Sequence, residues 1–263
     1  MGSKKLYRVN ILERLYTLTN RERKTRFSGG IFGYLWAFIT PVFWIGLVAI
    51  AFSFLGKKVP IFTDPIFFVA TGILPYAIFR QTITSIARSY IANRYLQYFT
   101  ETNLSEVGAA SAILEAVNSL VTSFVIFGSL FLILDIDSPA NILKIIQGIL
   151  LAWFLGASFG TLVAVIGRAS DTFARAVPVV LRPLFWISGI FYIAAELPQS
   201  TIKILSYNPL FHVIEIIREG FFYGYNSLIS DMYYPLISSL IFFIVAGVID
   251  SWVRVTNRVR HRI

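Results

Sequence analysis

The sequence predicts an all-α membrane protein with six transmembrane helices, an N-terminal interfacial helix, and two short outer-leaflet helices between spans five and six. Hydrophobic residues make up 56% of the 263-residue chain and charged residues only 14%, whereas soluble domains carry about 25% charged residues. Several uncharged stretches are long enough to cross a bilayer. The net charge is +9, and the basic residues lie beside these apolar stretches. This position favours contact with lipid headgroups over nucleic-acid binding.

Gaps between charged residues predict the six spans. Ile31–Leu55 has no charge over 25 residues, and a helix of that length reaches about 37 Å, enough for a hydrocarbon core of about 30 Å. The other spans are predicted at Ile66–Ala87, Val107–Leu134, Ile145–Ile166, Ala176–Ala195 and Tyr233–Ile249. The six spans form a predicted transmembrane domain over residues 31–253, followed by a basic tail at 254–263.

The distribution of positive charge predicts that both termini are cytoplasmic. With the N-terminus inside, seventeen of the 23 Lys and Arg residues fall in inner segments, counting Arg182 near the inner end of its span. Five fall in outer segments, and Arg80 lies within a span. The opposite orientation inverts this ratio, contrary to the excess of Lys and Arg that cytoplasmic loops carry.

Residues 1–30 are predicted to form a cytoplasmic segment with an interfacial helix at Lys4–Asn20. Four apolar residues share one face of this helix at helical spacing, which is typical of a helix lying in the membrane surface. They are Tyr7, Ile11, Leu15 and Leu18.

Two short helices are predicted between the fifth and sixth spans, at Pro198–Leu205 and Leu210–Phe222. Both are too short to cross a membrane. Asn208 is the expected N-cap of the second helix, with Pro209 at its first position. We interpret the pair as helices that dip into the outer leaflet; an ordinary hairpin on the membrane surface is the alternative.

Small residues recur every four positions along the fourth span, which indicates close helix packing. They are Gly148, Ala152, Gly156, Gly160 and Ala164. The pattern leaves open whether this packing occurs within one protomer or across a dimer.

The sequence holds neither a recognisable catalytic site nor a metal site. It has no cysteine and only two histidines, and it lacks the GxxxxGK[ST] phosphate loop. ATP-driven transport would therefore require a separate subunit, and no cofactor is expected in this chain.

Motifs spread over residues 21–225 resemble the transmembrane subunit of ABC-2 type exporters. The pattern Arg-x-x-Arg-Phe, then Gly-x-x-x-Gly-Tyr-Leu-Trp-Ala-x-x-x-Pro, is matched by Arg23, Arg26, Phe27, Gly29, Gly33, Tyr34, Leu35, Trp36, Ala37 and Pro41. Further matches lie at Gly72–Tyr76, Val177–Pro183, Ser188–Tyr192 and Asn208–Val213, with Glu215, Arg218 and Glu219. Within that superfamily the chain looks most like the inner-membrane permease of bacterial capsular polysaccharide export.

This resemblance implies a multi-pass protein of the bacterial inner membrane that exports a lipid-linked polysaccharide. It implies a homodimer joined to two ATP-binding subunits, which would bind the ATP and Mg. It also implies a periplasmic co-polymerase and an outer-membrane exporter as partners. An ABC-2 permease for another lipid-linked glycan such as O-antigen is an alternative. A secondary transporter is a further alternative, but it would need intramembrane acids, which the sequence hardly supplies. A lipid-modifying enzyme would need a catalytic cluster, which the sequence lacks.

Three charged residues within the predicted spans are candidates for the substrate path. Arg80, Arg182 and Glu115 lie at similar depths, about 9–12 Å from the cytoplasmic edge of the core. An Arg at mid-membrane costs about 3 kcal/mol on insertion scales, which suggests a role. Either the charges form a basic collar for an anionic lipid phosphate or acidic sugar, or they pair structurally. Aromatic candidates for stacking on sugar rings are Tyr34, Trp44, Trp186 and Tyr192.

The loop Asn93–Glu106 is the candidate for coupling to the ATP-binding subunit. It carries an apolar cluster that is unusual for a loop facing water, and the family resemblance places a coupling helix here. The cluster comprises Tyr95, Leu96, Tyr98 and Phe99.

Overall fold

The protein is a bundle of helices in the computed structural model, which describes residues 10–26, 31–56, 59–61, 63–93, 95, 104–136, 138–169 and 171–260. The helices are α1 (Ile11–Arg26), α2 (Ile31–Phe54), α3 (Pro65–Ala92), α4 (Leu104–Leu134), α5 (Ile142–Ala169), α6 (Asp171–Ile187), α7 (Gln199–Leu205), α8 (Pro209–Phe221) and α9 (Tyr233–Arg260). No strand occurs within these ranges. The predicted all-α class is confirmed.

Five helices in the described part of the chain are long and apolar enough to cross a membrane: α2, α3, α4, α5 and α9. They correspond to five of the six predicted spans. The helix α9 continues to Arg260, past the predicted end of the sixth span at Ile249 and through most of the predicted basic tail at 254–263. Charge marks the end of an apolar core, but Ser251–Arg260 contains neither Gly nor Pro to end a helix.

The predicted fifth span, about Ala176–Ala195, is wrong at its end. The helix α6 covers Asp171–Ile187, 17 residues, or about 26 Å. After it the chain turns at Gly189, whose φ of +84° favours glycine. A Cβ there would lie 2.4 Å from the ring of Phe211, so the apolar residues after Gly189 cannot extend the helix.

The N-terminal helix is shifted relative to its prediction. The predicted helix began at Lys4, and residues 1–9 lie outside the described ranges; the observed α1 continues past Asn20 to Arg26. The extension brings Arg21 to the C-cap of α3, where Arg21 Nη2 donates to Asn93 Oδ1 at 2.6 Å. This polar contact gives the charged end of α1 a partner.

The helix α3 forms the centre of the bundle. Its most apolar stretch is 78% buried, against 28% for α2 and α4 and 11% for α9. Gly156 and Gly160 of α5 lie against the backbone of α3 at Phe79 and Ile83, where a Cβ would approach within 2.7 Å and 2.9 Å. The predicted close packing of these small residues therefore occurs within one chain.

The two predicted short helices are observed as α7 and α8. Asn208 Oδ1 accepts a hydrogen bond from Leu210 N at 3.0 Å, and Pro209 is the first residue of α8. Both features agree with the prediction. The helix α8 is buried along nearly its whole length and packs mainly on α5, with further contacts to α3 and α9.

Candidate functional site

A cavity of about 810 Å³ lies among α2, α3, α4 and α6. Five of the seven predicted substrate-path residues line it: Arg80, Glu115, Arg182, Trp44 and Trp186. They come from four different helices, so the fold brings together residues that are up to 142 positions apart in sequence. The cavity is therefore the candidate site.

Arginines give the cavity an excess of positive charge. Arg80 and Arg88 come from α3 and Arg182 from α6, and all three residues are exposed. Glu115 is the single acidic residue among the described lining residues and is 3% exposed. Three cationic groups facing open space favour binding of an anionic group, since guanidinium forms charge-assisted hydrogen bonds with phosphate and carboxylate.

The helix α4 supplies a polar wall. Glu115, Asn118, Ser119 and Thr122 all line the cavity, and their spacing places them on one face of the helix. Their oxygen and amide groups can exchange hydrogen bonds with hydroxyl groups of a ligand.

Aromatic side chains form the remaining wall: Trp36 and Trp44 of α2, Tyr76 of α3, and Phe185 and Trp186 of α6. The Tyr76 hydroxyl donates to Leu181 O at 2.9 Å and its ring lies 5.1 Å from that of Phe185. Trp186 remains 64% exposed. Exposed aromatic side chains beside the polar side chains of α4 suit a glycan, because a sugar ring presents both an apolar face and hydroxyl groups.

Two predicted path residues are not part of this lining as far as the structure describes them. The Tyr34 side chain lies outside the described part of the chain. Tyr192 follows α6, where its hydroxyl donates to Trp186 O at 3.3 Å, and it contributes nothing to the cavity wall.

Sequence reasoning missed several lining residues: Trp36, Arg88, Asn118, Ser119 and Thr122. A signal existed for the polar ones, because polar residues at helical spacing from Glu115 interrupt an otherwise apolar span. Arg88 lies two turns from Arg80 on the same helix, and it was treated only as an orientation charge.

A second cluster of charges surrounds α8, away from the cavity. Glu215 and Arg218 are both fully buried and pair at 3.2 Å. Burial lowers the pKa of Arg218, an effect that the charge of Glu215 opposes. Burial also raises the pKa of Glu219, but hydrogen bonds from Ser230, Lys144 and Ser227 outweigh it and hold that pKa below its ordinary value.

The predicted coupling region is flanked by contacts from α1. Arg14 Nη2 lies 3.4 Å from Glu106 Oε1 at the start of α4, and Arg21 bonds Asn93 at the end of α3. These contacts place α1 beside both ends of the 94–103 segment. Tyr95 is 55% exposed, whereas Leu96, Tyr98 and Phe99 lie outside the described residues.

Comparison with known families identifies the chain. The model of the ABC-2 type transporter family matches residues 13–222, which is most of the chain. The chain belongs to the ABC-2 type transporter family. In this ABC-2 chain the match includes the described lining residues of the cavity, most of α1, and all of α8.

Individual relatives of this ABC-2 chain are named for glycan export. It is 26% identical over 208 residues to the polysialic acid transport protein KpsM of Escherichia coli, covering 79% of this chain and 80% of the relative. It is 24% identical over 249 residues to the capsule polysaccharide export inner-membrane protein CtrC of Neisseria meningitidis serogroup A, covering 90% and 92%. It is 27% identical over 231 residues to the O-antigen export system permease protein RfbA of Klebsiella pneumoniae, covering 85% and 86%.

Exchanging the charges of Arg14 and Glu106 should show that this pair anchors α1 in the ABC-2 chain. Each single change, Arg14→Glu or Glu106→Arg, places like charges together and is expected to lower stability by about 1 kcal/mol. The double change should restore most of that loss. Tm of the purified chain in detergent measures the effect, with Lys24→Glu, an exposed position on the same helix, as the control. Absence of restoration in the double variant would show that the pair is incidental.

Proposed function

We propose that the chain is the transmembrane subunit of an ATP-driven exporter that moves lipid-linked capsular polysaccharide across the bacterial inner membrane. The observation that carries this proposal is the cavity, which combines three exposed arginines with five aromatic side chains inside the bundle of an ABC-2 chain. An anionic phosphate or acidic sugar suits the arginines, and sugar rings suit the aromatic wall. The printed names of the relatives support the same substrate class.

Energy for export is proposed to come from a partner. The sequence has no phosphate loop, so two separate ATP-binding subunits would bind ATP and Mg and join a homodimer of this chain. We place their contact at the 94–103 segment, including Tyr95, Leu96, Tyr98 and Phe99, with α1 as a brace. A periplasmic co-polymerase and an outer-membrane exporter would continue the path.

The proposed topology has six crossings with both termini cytoplasmic. In it α6 is the short fifth crossing, α1 lies at the cytoplasmic surface, and α7 and α8 lie on the outer side. The contacts of α1 with Asn93 and Glu106 support this arrangement, because they hold the N-terminal helix beside residues at the two ends of the proposed coupling segment.

We expect the purified chain alone to hydrolyse no ATP. In inside-out vesicles that also contain its partner ATPase, a lipid-linked anionic polysaccharide should stimulate hydrolysis and enter the lumen. A partner whose phosphate-loop Lys is replaced provides the control and should abolish both signals. Hydrolysis by the partner-free chain, or uptake driven by a proton gradient without ATP, would contradict the proposal.

Export of O-antigen is the second candidate, and the similarity to RfbA favours it. The excess of Arg in the cavity favours an anionic glycan chain, so we take the capsular candidate as an anionic chain and the O-antigen candidate as a neutral one. Competition in the same vesicles between a neutral and an anionic lipid-linked glycan distinguishes them.

A further inference from the structure

Arg218 of α8 is completely buried and bonds the backbone of a segment outside its own helix. Its Nη1 donates to Tyr192 O at 2.7 Å and its Nη2 to Ile190 O at 3.1 Å. The guanidinium carbon lies 4.3 Å from the centre of the Phe68 ring of α3. Burying a charge is costly unless it is paired and hydrogen-bonded. Two of the four hydrogen bonds of Arg218 go to one short segment, residues 190–192, and the other two go to Glu215 and Thr71.

The segment 190–192 is clamped from a second side by α3. Gly72 packs directly on it, and a Cβ at Gly72 would lie 2.8 Å from Ile190 Cα. The segment is therefore held both by α3 and by the Arg218 side chain, which itself contacts α3 at Phe68, and its backbone has little room to move.

The same segment contacts Phe185 and Trp186, two aromatic residues of the cavity wall. The Phe191 ring stacks on Trp186 with centroids 5.0 Å apart and lies 5.3 Å from Phe185. The Tyr192 hydroxyl also donates to Trp186 O. Since Phe185 and Trp186 line the cavity, a continuous set of contacts leads from Arg218 to the cavity wall.

The helix α8 is itself anchored through its acidic residues. Glu215, the partner of Arg218, accepts hydrogen bonds from the hydroxyls of Tyr225 and Ser227. On another side, Glu219 pairs with Lys144 at 2.9 Å. Arg218 thus reaches the segment 190–192 from a helix that is held on several sides.

We propose that Arg218 is a positioning residue for the substrate cavity: by holding the carbonyls of Ile190 and Tyr192 it keeps Phe185 and Trp186 on the cavity wall. The role in glycan passage rests on the function proposed above, whereas the positioning itself does not. Losing the two carbonyl contacts frees the end of α6 and opens the aromatic wall next to Tyr76.

Cysteine labelling of the cavity tests this directly, because the chain contains no native cysteine. Ala77→Cys places a thiol at a half-buried lining position on α3, and its rate of reaction with a polar maleimide is measured in membranes. Adding Arg218→Lys keeps a charge beside Glu215 but replaces the planar fork by a single ammonium. We expect the labelling rate to rise on the order of tenfold, because hydrogen bonds from a charged donor are lost.

Lys144→Met is the matched control. It removes the ion pair between Lys144 of α5 and Glu219 of α8 without changing a contact to residues 190–192. The labelling rate should therefore stay within about twofold of the parent. An equal rise in this control would show that any loosening of α8 suffices, which overturns the specific role of Arg218. An unchanged rate in Arg218→Lys would overturn it as well.

A second variant covers a failure of Arg218→Lys to fold. Arg218→Met with Glu215→Gln removes both buried charges and so leaves neither one unpaired, and the same labelling criterion applies. Labelling needs no substrate or ATPase, so it separates the two proposals. If the labelling rate rises in the Arg218 variants but the complex of the parent chain with its ATPase exports no polysaccharide, the positioning role stands and the proposed function is contradicted.

Discussion

Replacing Arg80 and Arg182 together by Ala is expected to abolish most export of lipid-linked polysaccharide while the chain still folds and inserts. Both side chains are exposed on the cavity wall, so their removal leaves no hole in a packed core. Each removes a charged hydrogen-bond donor worth about 1.5–3 kcal/mol to a bound anion. If both arginines contact the same anionic group, the loss of each should lower export by roughly tenfold or more.

The measurement compares export per folded chain, with the amount of inserted protein determined in the same membranes. Lys203→Ala removes a positive charge from an exposed position on α7 outside the cavity and serves as the control. Arg80→Lys with Arg182→Lys keeps the charges and should retain part of the export. If export and the amount of folded protein fall in parallel, the arginines hold the helices together instead of contacting substrate.

The sequence predicted the membrane helices well wherever a charge gap coincided with an uninterrupted helix. The predicted end of α4 at Leu134 is confirmed. The prediction from sequence failed where an apolar run continued past a turn, as at Gly189. Hydropathy reports burial or lipid contact and not the path of the backbone. A glycine suits this turn both for its left-handed φ and for the close approach of Phe211, and the second is a contact between residues 22 positions apart.

The candidate site was predictable to a similar extent and for a related reason. Similar depths of Arg80, Glu115 and Arg182 predicted that they would share a layer, and the structure places them around one cavity. Depth alone does not give the direction of a side chain around its helix. It therefore missed Asn118. Tyr192, a candidate chosen by residue type alone, is not among the described lining residues of the cavity.

A sequence window also could not show the role of Arg218. It was counted as an outer-loop charge, yet it is 0% exposed. Two of its hydrogen-bond acceptors are the backbone carbonyls of Ile190 and Tyr192, 28 and 26 residues away, and backbone acceptors carry no residue-type signal. The i,i+3 spacing of Glu215 and Arg218 on an apolar helix is consistent with a buried pair, but it does not show what the pair holds.

Gly156→Ala is expected to destabilise the protein by about 2–3 kcal/mol, because the added methyl group has no space. Its Cβ would lie 2.7 Å from Phe79 O and 3.1 Å from Phe79 Cα. Both are backbone atoms that no rotamer change can move, so α3 and α5 must separate. The melting temperature and the folded fraction after extraction from membranes measure this loss.

Gly247→Ala makes the same change in α9, where no atom lies within 4 Å of the added Cβ, and it should leave stability nearly unchanged or slightly raised. The contrast between the two variants isolates the close approach from the general effect of replacing a helical Gly. Separation of α3 from α5 also moves the residue that follows Phe79, which is Arg80. Export per folded Gly156→Ala chain should therefore fall as well, and normal export by the surviving folded chains would show that the position of Arg80 does not depend on this packing.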